Sequence, residues 1–132
     1  MTTELTFLTW TLVLALVQIF ATASVRTKQY GSKWNAGARD EALPPPSPIV
    51  GRLQRAQSNL FETLPLFAAA VLIAHVAGRE NGTTALGAML YFWGRVIYVP
   101  LYALGIPYVR SLVWLVSLAG LTMIFGTLLG PA

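Results

Sequence analysis

The stretch RAQSNLFETLPLFAAAVLIAHVA, residues 55–77, carries the pattern that decides the fold. Its first residues are polar, and from Leu60 to Ala77 the only Asp, Glu, Lys or Arg side chain is Glu62. A bilayer-spanning helix needs about 20 mostly apolar residues, and in lipid only a helix of this kind satisfies its own backbone. The stretch therefore predicts a membrane-spanning helix with one carboxyl group inside it.

Three further apolar runs extend this character over the chain. They cover residues 5–24, 84–104 and 111–129, and only the middle one contains a charge, Arg95. Of the 132 residues, 55% are hydrophobic and 11% are charged, whereas average soluble domains have about 25% charged residues. The sequence predicts an all-α integral membrane protein, a single domain over residues 1–132 whose four spans run up-down-up-down.

A polar loop over residues 26–56 should join the first two spans, because its four prolines disfavour helix. Thr83 or Thr84 is the expected N-cap of the third span.

Composition excludes several kinds of site. The chain has no cysteine and one histidine, His75, so we expect no thiolate catalysis and no metal site. The pI is near 9.9, but the nine basic residues form no basic helix face of the kind that binds nucleic acid.

The basic residues instead predict the orientation, because Lys and Arg beside spans favour the cytoplasmic side. One side of the membrane has Arg79 alone, whereas the other has Arg26, Lys28, Lys33, Arg39, Arg52, Arg55 and Arg110. The long loop is therefore expected in the cytoplasm and both termini on the opposite side, in the inner membrane if the chain is bacterial. Trp114, near the cytoplasmic end of the fourth span, is expected in the interfacial aromatic belt.

Two spans carry polar side chains at helical spacing. These polar stripes are Arg55, Asn59 and Glu62 on the second span, and Arg95, Tyr98 and Tyr102 on the third. Each stripe falls within an arc of about 60° and runs inward from the cytoplasmic side. Ionisable groups inside a span cost about 2.5–3.5 kcal/mol on insertion scales and usually face a bundle interior or a wet cavity. One interpretation is that Glu62 and Arg95 form a structural ion pair. The other is that the two stripes line a polar cleft that binds a small zwitterionic or polyanionic solute. The lipid-facing surroundings of such a cleft would admit a hydrophobic second substrate.

Residues 55–65 resemble the RAxxNxxExxP signature of the membrane-associated proteins in eicosanoid and glutathione metabolism (MAPEG). Residues 94–102 are similar to the RxxYxxxY pattern of the third helix in that family, and residues 107–111 to the start of its fourth helix. The resemblance implies a homotrimer of four-helix subunits that bind glutathione between neighbours on the cytoplasmic side. It also implies microsomal-type glutathione transferase chemistry, or glutathione peroxidase chemistry, on lipophilic electrophiles or lipid hydroperoxides.

The resemblance also implies roles for individual positions. Arg110 and Ser111 match catalytic positions, and the positions that match glutathione contacts are Arg26, Arg55, Gln57, Asn59, Glu62, Arg95, Tyr98 and Tyr102. At the end of the first span either Arg26 or Lys28 fits the basic position. Thr63 replaces the tyrosine of the leukotriene-C synthases, and the loop at 35–40 looks like that of bacterial members.

Two other functions are compatible with four spans. A non-catalytic lipid-binding or scaffold member of the same fold would lack glutathione affinity. A small multidrug transporter would carry an acid in the middle of its first span, whereas Glu4 lies at the edge of this one.

Overall fold

The computed structural model describes residues 1–131, which contain five α-helices and no strand. The helices are α1 (Thr3–Tyr30), α2 (Ser32–Ala36), α3 (Pro48–Val76), α4 (Gly82–Ala103) and α5 (Val109–Leu129).

Three of these helices, α1, α3 and α5, are long and apolar enough to cross a membrane. The fourth long helix, α4, has 22 residues and is not among them. It contains Arg95 and three glycines, which lower its average apolarity. The predicted all-helical membrane class is therefore confirmed, while the fourth span stays a prediction.

The connection between α1 and α3 is shorter than the predicted loop 26–56, because helix covers both of its ends. Helix α1 continues to Tyr30, and α3 begins at Pro48, where a proline is tolerated because the first helical N–H groups need no partner within the helix. The intervening chain is held against α1. The Tyr30 hydroxyl donates to the carbonyl of Pro44 at 2.9 Å, and the Ser47 amide donates to Gln29 Oε1 at 2.8 Å.

The prediction that Thr83 or Thr84 is the N-cap of α4 was wrong. Asn81 is the N-cap, and its Oδ1 accepts from the Thr84 amide at 3.0 Å. In return, the hydroxyl of Thr84 accepts from the Asn81 amide at 2.8 Å. The sequence signal for this reciprocal arrangement is a capping residue followed three positions later by a polar side chain.

The buried face of α1 lies against α3 and α4, and among the described residues α1 makes no packing contact with α5. The Glu4 carboxylate, 3% exposed, accepts from the Thr84 hydroxyl at 2.6 Å, and the Phe7 and Phe92 rings lie 5.5 Å apart. Helices α1 and α4 therefore run in the same direction from the end that contains the N-terminus.

Glycines bring α4 and α5 into backbone contact. A Cβ atom on Gly87 would lie 2.5 Å from the carbonyl oxygen of Gly120, and one on Gly94 would lie 2.9 Å from the Cβ of Ser117. Small residues at such crossings let helix backbones approach closely in membranes. This crossing sets the position of α5 on α4. Gly126 and Gly130 form a GxxxG pattern near the end of the chain. Gly126 takes part in no such crossing, because a Cβ atom there would meet no atom within 4 Å.

Two polar groups close the end of the bundle opposite the long loop. The Arg79 guanidinium donates to the carbonyls of Leu128 at 2.9 Å and Gly130 at 2.7 Å, which satisfies acceptors at the C-terminus of α5. The Glu80 carboxylate accepts from the Thr2 hydroxyl at 2.7 Å and lies 3.0 Å from Nδ1 of His75.

The glycine crossing predicts a position-specific cost. Gly120→Ala places a methyl group against the α4 backbone, so we expect it to lower the free energy of unfolding by about 1–3 kcal/mol. The matched control Gly126→Ala adds the same methyl group in open space and should leave stability unchanged or raise it slightly. Thermal unfolding in detergent checks both variants, and equal effects would contradict the close crossing.

The Glu80 contacts predict a pH dependence. Burial tends to raise the pKa of Glu80, but the hydrogen bonds from Thr2 and His75 and the charge of His75 outweigh it, so the pKa lies below its ordinary value of 4.5. A carboxyl group with a lowered folded-state pKa stabilises the fold above its unfolded pKa, and this contribution is lost as the pH falls through the folded value. Glu80→Gln should therefore be less stable than the wild type at pH 7, and the difference should shrink below about pH 4.5. Unfolding midpoints across this range measure the effect, and a difference independent of pH would count against it.

Candidate functional site

The two polar stripes face each other across the contact of α3 and α4. Nη1 of Arg95 donates to Oδ1 of Asn59 at 2.7 Å. One turn nearer the long loop, Nε of Arg55 donates to the hydroxyl of Tyr102 at 2.9 Å. Both bonds join residues predicted to share a cleft, because antiparallel helices bring stripes at the same depth together.

Arg95 is the most deeply buried charged side chain of this region, with 1% of its surface exposed. Its guanidinium carbon lies 4.4 Å from the centre of the Tyr98 ring, a distance at which a cation is attracted to an aromatic face. Its Nε and Nη2 atoms are buried without a hydrogen-bond partner among the described residues.

The structural Glu62–Arg95 ion pair does not form in the described part of the chain, where the one carboxylate within salt-bridge distance of a basic side chain is Glu80, beside His75. Arg95 bonds Asn59 instead, and Glu62 is exposed on the surface of α3. Helical spacing places Glu62 only one turn beyond Asn59, but rotation of α3 within the bundle directs the two side chains to different surroundings.

A third arginine joins the cluster from α5. The Arg110 guanidinium carbon lies 4.6 Å from the centre of the Tyr102 ring, and that of Arg55 lies 5.7 Å from the same ring. No carboxylate among the described residues is within salt-bridge distance of these arginines. The arrangement concentrates positive charge around two tyrosines, and positive charge at one place favours binding of an anion.

These residues border a cavity of about 240 Å³. Its lining is Asn59, Tyr98, Arg110, Ser111 and Trp114. Trp114, predicted as an interfacial belt residue, lies in the cavity wall. The sequence signal for this position is its spacing of three and four residues from Ser111 and Arg110, which puts all three on one helix face.

The remaining predicted site residues lie outside this cluster. Arg26 is half-buried on α1 and Gln57 is half-buried on α3, and no side-chain hydrogen bond joins either to the cluster within residues 1–131. Lys28, the alternative to Arg26, is exposed. Thr63 donates or accepts a 2.7 Å hydrogen bond with the hydroxyl of Tyr91, so it contributes to the contact of α3 with α4.

The chemistry of the cluster is that of a cationic recess beside apolar helix surface. Guanidinium groups bind carboxylates in a planar geometry, and hydroxyl groups of tyrosine and serine supply neutral hydrogen bonds. Within the described residues no group of three or more His, Asp or Glu side chains is placed to hold a metal ion.

Comparison with known proteins gives one match. The family model described as MAPEG family matches residues 7–130, nearly the whole chain. No match was found among the curated proteins or among the solved structures.

The Asn59–Arg95 hydrogen bond predicts a stability effect at the site. Asn59→Ala removes the acceptor of a buried guanidinium and should destabilise the protein by about 1.5–3 kcal/mol, the range for hydrogen bonds to charged groups. Asn59→Asp keeps an acceptor at the same reach and should retain most of the stability. Ser58→Ala, at the exposed neighbouring position, is the control for thermal unfolding in detergent. Equal midpoints for Asn59→Ala and Ser58→Ala would refute the importance of this bond.

Proposed function

The chain belongs to the MAPEG family, and from this premise we propose that it is a membrane-bound glutathione transferase with glutathione peroxidase activity. Its substrates in this proposal are lipophilic electrophiles and lipid hydroperoxides. Family membership supports a membrane protein of glutathione or eicosanoid metabolism; the specific activity is the step that we add.

The observation that carries the proposal is the joint position of Arg110, Ser111, Asn59 and Tyr98 on one cavity. Three helices contribute to it, and the guanidinium of Arg55 lies beside it on Tyr102. Glutathione offers two carboxylates to arginines, an ammonium group to a carboxylate such as Glu62, and a thiol. A site with this inventory suits the peptide better than it suits an apolar ligand alone.

We assign to Arg110 the stabilisation of the glutathione thiolate. A free thiol has a pKa near 8.5, and the thiolate is the nucleophile. A guanidinium stays charged in a low-dielectric cleft where a lysine can lose its proton, and it favours the thiolate over the thiol. Ser111 follows Arg110 directly and lines the same cavity, so its hydroxyl is placed to donate a hydrogen bond to the sulfur.

The same thiolate serves both reactions. With an electrophile that carries a leaving group, the sulfur forms a bond to carbon and the leaving group departs with the electron pair of the broken bond. With an activated double bond, the sulfur bonds one carbon, and the displaced π-electron pair takes up a proton. With a hydroperoxide, the sulfur attacks the terminal oxygen and the O–O bond breaks, so that the alcohol leaves after taking a proton. A second glutathione then displaces water from the oxidised sulfur and gives the disulfide.

The proposal includes the assembly of the protein. We propose four spans, with α4 packed against the other three, and a homotrimer in which glutathione lies between subunits. Glu62 supports this assembly because it is exposed on the isolated chain although a carboxylate facing lipid is costly. A neighbouring subunit and bound glutathione would cover it, and Arg26 and Gln57 would then complete the site.

The orientation follows from the distribution of charge. The cluster lies at the end of the bundle that carries the long loop and most of the basic residues, so we propose that glutathione enters from the cytoplasm. The hydrophobic substrate partitions into the bilayer and reaches the cavity from the lipid side, past exposed apolar residues of α5 such as Leu112 and Leu115.

The proposed role of Arg110 predicts a change in thiol ionisation. Arg110→Ala should raise the pKa of bound glutathione by about one to three pH units, as expected when an opposite charge is removed. The measurement is the pH dependence of thiolate absorbance in the ultraviolet. In parallel, conjugation to a model aryl halide and reduction of a lipid hydroperoxide should both fall by about 100-fold or more.

Arg39→Ala is the control for these assays. It removes the same charge from the cytoplasmic loop, where Arg39 stacks on Trp34 at 4.7 Å, and should leave ionisation and turnover unchanged. An unchanged thiol pKa in Arg110→Ala would show that Arg110 does not stabilise the thiolate. Absence of glutathione binding by the wild type would overturn the enzyme and favour a lipid-binding or scaffold protein.

A further inference from the structure

Gln18 is a buried polar residue on α1 that the family motifs do not include. Its side chain is 3% exposed, and neither Oε1 nor Nε2 has a hydrogen-bond partner among the described residues. Burying an amide in an apolar environment without hydrogen bonds costs about 1–3 kcal/mol by protein mutational data. We therefore expect a polar partner for Gln18, which can be a bound water that links it to a facing helix.

The register of the helices shows which neighbour lies at its level. Glu4 contacts Thr84 and the two helices run in parallel, so a position 14 residues further along α1, Gln18, is level with Tyr98, about one turn from Arg95. The Arg95 guanidinium carbon lies 4.4 Å from the centre of the Tyr98 ring, so this side chain reaches towards the level of Gln18.

Helix α3 gives the same level independently. The Thr22 hydroxyl donates to the carbonyl of Leu53 at 3.5 Å, and the helices are antiparallel. Gln18, one turn before Thr22, is then about two residues, or about 3 Å, from the level of Asn59. Asn59 is the residue that holds Nη1 of Arg95, so both helices that pack on α1 put Gln18 at the level of this guanidinium.

The hydrogen-bonding groups are complementary. Arg95 has buried donors at Nε and Nη2, and Gln18 has a buried acceptor at Oε1. We propose that Gln18 is a positioning residue for Arg95, its Oε1 accepting from the guanidinium through one internal water. Asn59 and Gln18 then hold the guanidinium from two helices and keep it against the ring of Tyr98, which forms part of the cavity wall.

This role requires α1 to take part in the site, although no residue of α1 lines the cavity. The inference rests on the proposed function only where binding of glutathione is measured. Its structural part stands on stability measurements alone, so the two ideas can fail separately.

The test is a double-mutant cycle with Gln18→Leu and Arg95→Met, followed by thermal unfolding in detergent. Gln18→Leu should lower the unfolding midpoint in the wild-type background and leave it unchanged or raised in the Arg95→Met background, where no buried guanidinium needs an acceptor. Gln18→Glu, which keeps an oxygen acceptor at the same reach, should restore the midpoint. If Gln18→Leu does not fold alone, its recovery by Arg95→Met is the supporting result.

Thr11→Val is the matched control. Thr11 lies on the same buried face of α1, but its hydroxyl donates to the carbonyl of Phe7 within the helix at 2.7 Å. Its effect should be the same with Arg95 and with Met at that position. For Gln18→Leu, equal shifts in both backgrounds, failure to fold in both, or failure of Gln18→Glu to restore the midpoint would each overturn the proposal.

Glutathione binding provides the functional readout. By isothermal titration, Gln18→Leu should weaken glutathione binding by about tenfold, which corresponds to one lost hydrogen bond to a charged group, while Thr11→Val should bind like the wild type. A Gln18→Leu variant with coupled stability and unchanged glutathione affinity would overturn the link to the site. If the wild type binds no glutathione, the proposed function fails and the stability cycle still decides the role of Gln18.

Discussion

A guanidinium buried inside a bundle of apolar helices is the constraint on which the site depends. Arg95 is 1% exposed, and a buried charge is tolerated only when hydrogen bonds and polarisable neighbours replace water. Asn59 supplies one acceptor and the Tyr98 ring a face of negative potential. These partners come from α3 and from α4 itself, so satisfying this one charge also sets how the two helices are turned towards each other.

The second constraint is the close approach of α4 and α5. Because Gly87, Gly94 and Gly120 have no side chains, the backbones touch and the first turn of α5 lies beside the last turns of α4. This places the guanidinium of Arg110 over the Tyr102 ring. Packing at the middle of the bundle thus positions a charged group at its end.

Much of this organisation was predictable from local sequence. Long apolar runs and the charges inside them predict spanning helices whatever the neighbours are, and the spacing of Arg55 and Asn59 predicts a shared helix face. The ends of the helices were harder to predict. The proline-rich stretch suggested that the second long helix begins after residue 56, whereas it begins at Pro48. Local composition does not distinguish a proline that starts a helix from one that prevents it.

The partners of individual side chains were not predictable in this way. Glu62 and Arg95 looked like a pair by depth, yet Arg95 bonds Asn59 and Glu62 faces outward. Trp114 looked like a belt residue and lines the cavity. Gln18 has no distinguishing signal within its apolar run, because its burial without a partner results from the packing of α3 and α4 on α1.

The sequence by itself determined that the chain is a helical membrane protein of the MAPEG family with basic residues gathered at one end, since hydropathy, motif spacing and charge count are properties of single segments. Only the tertiary structure decided which residues meet. Partners depend on how each helix is rotated and how far it is shifted along its neighbours, and these two quantities come from packing between segments: the glycine contacts of α4 with α5, and the burial of Arg95 between α3 and α4.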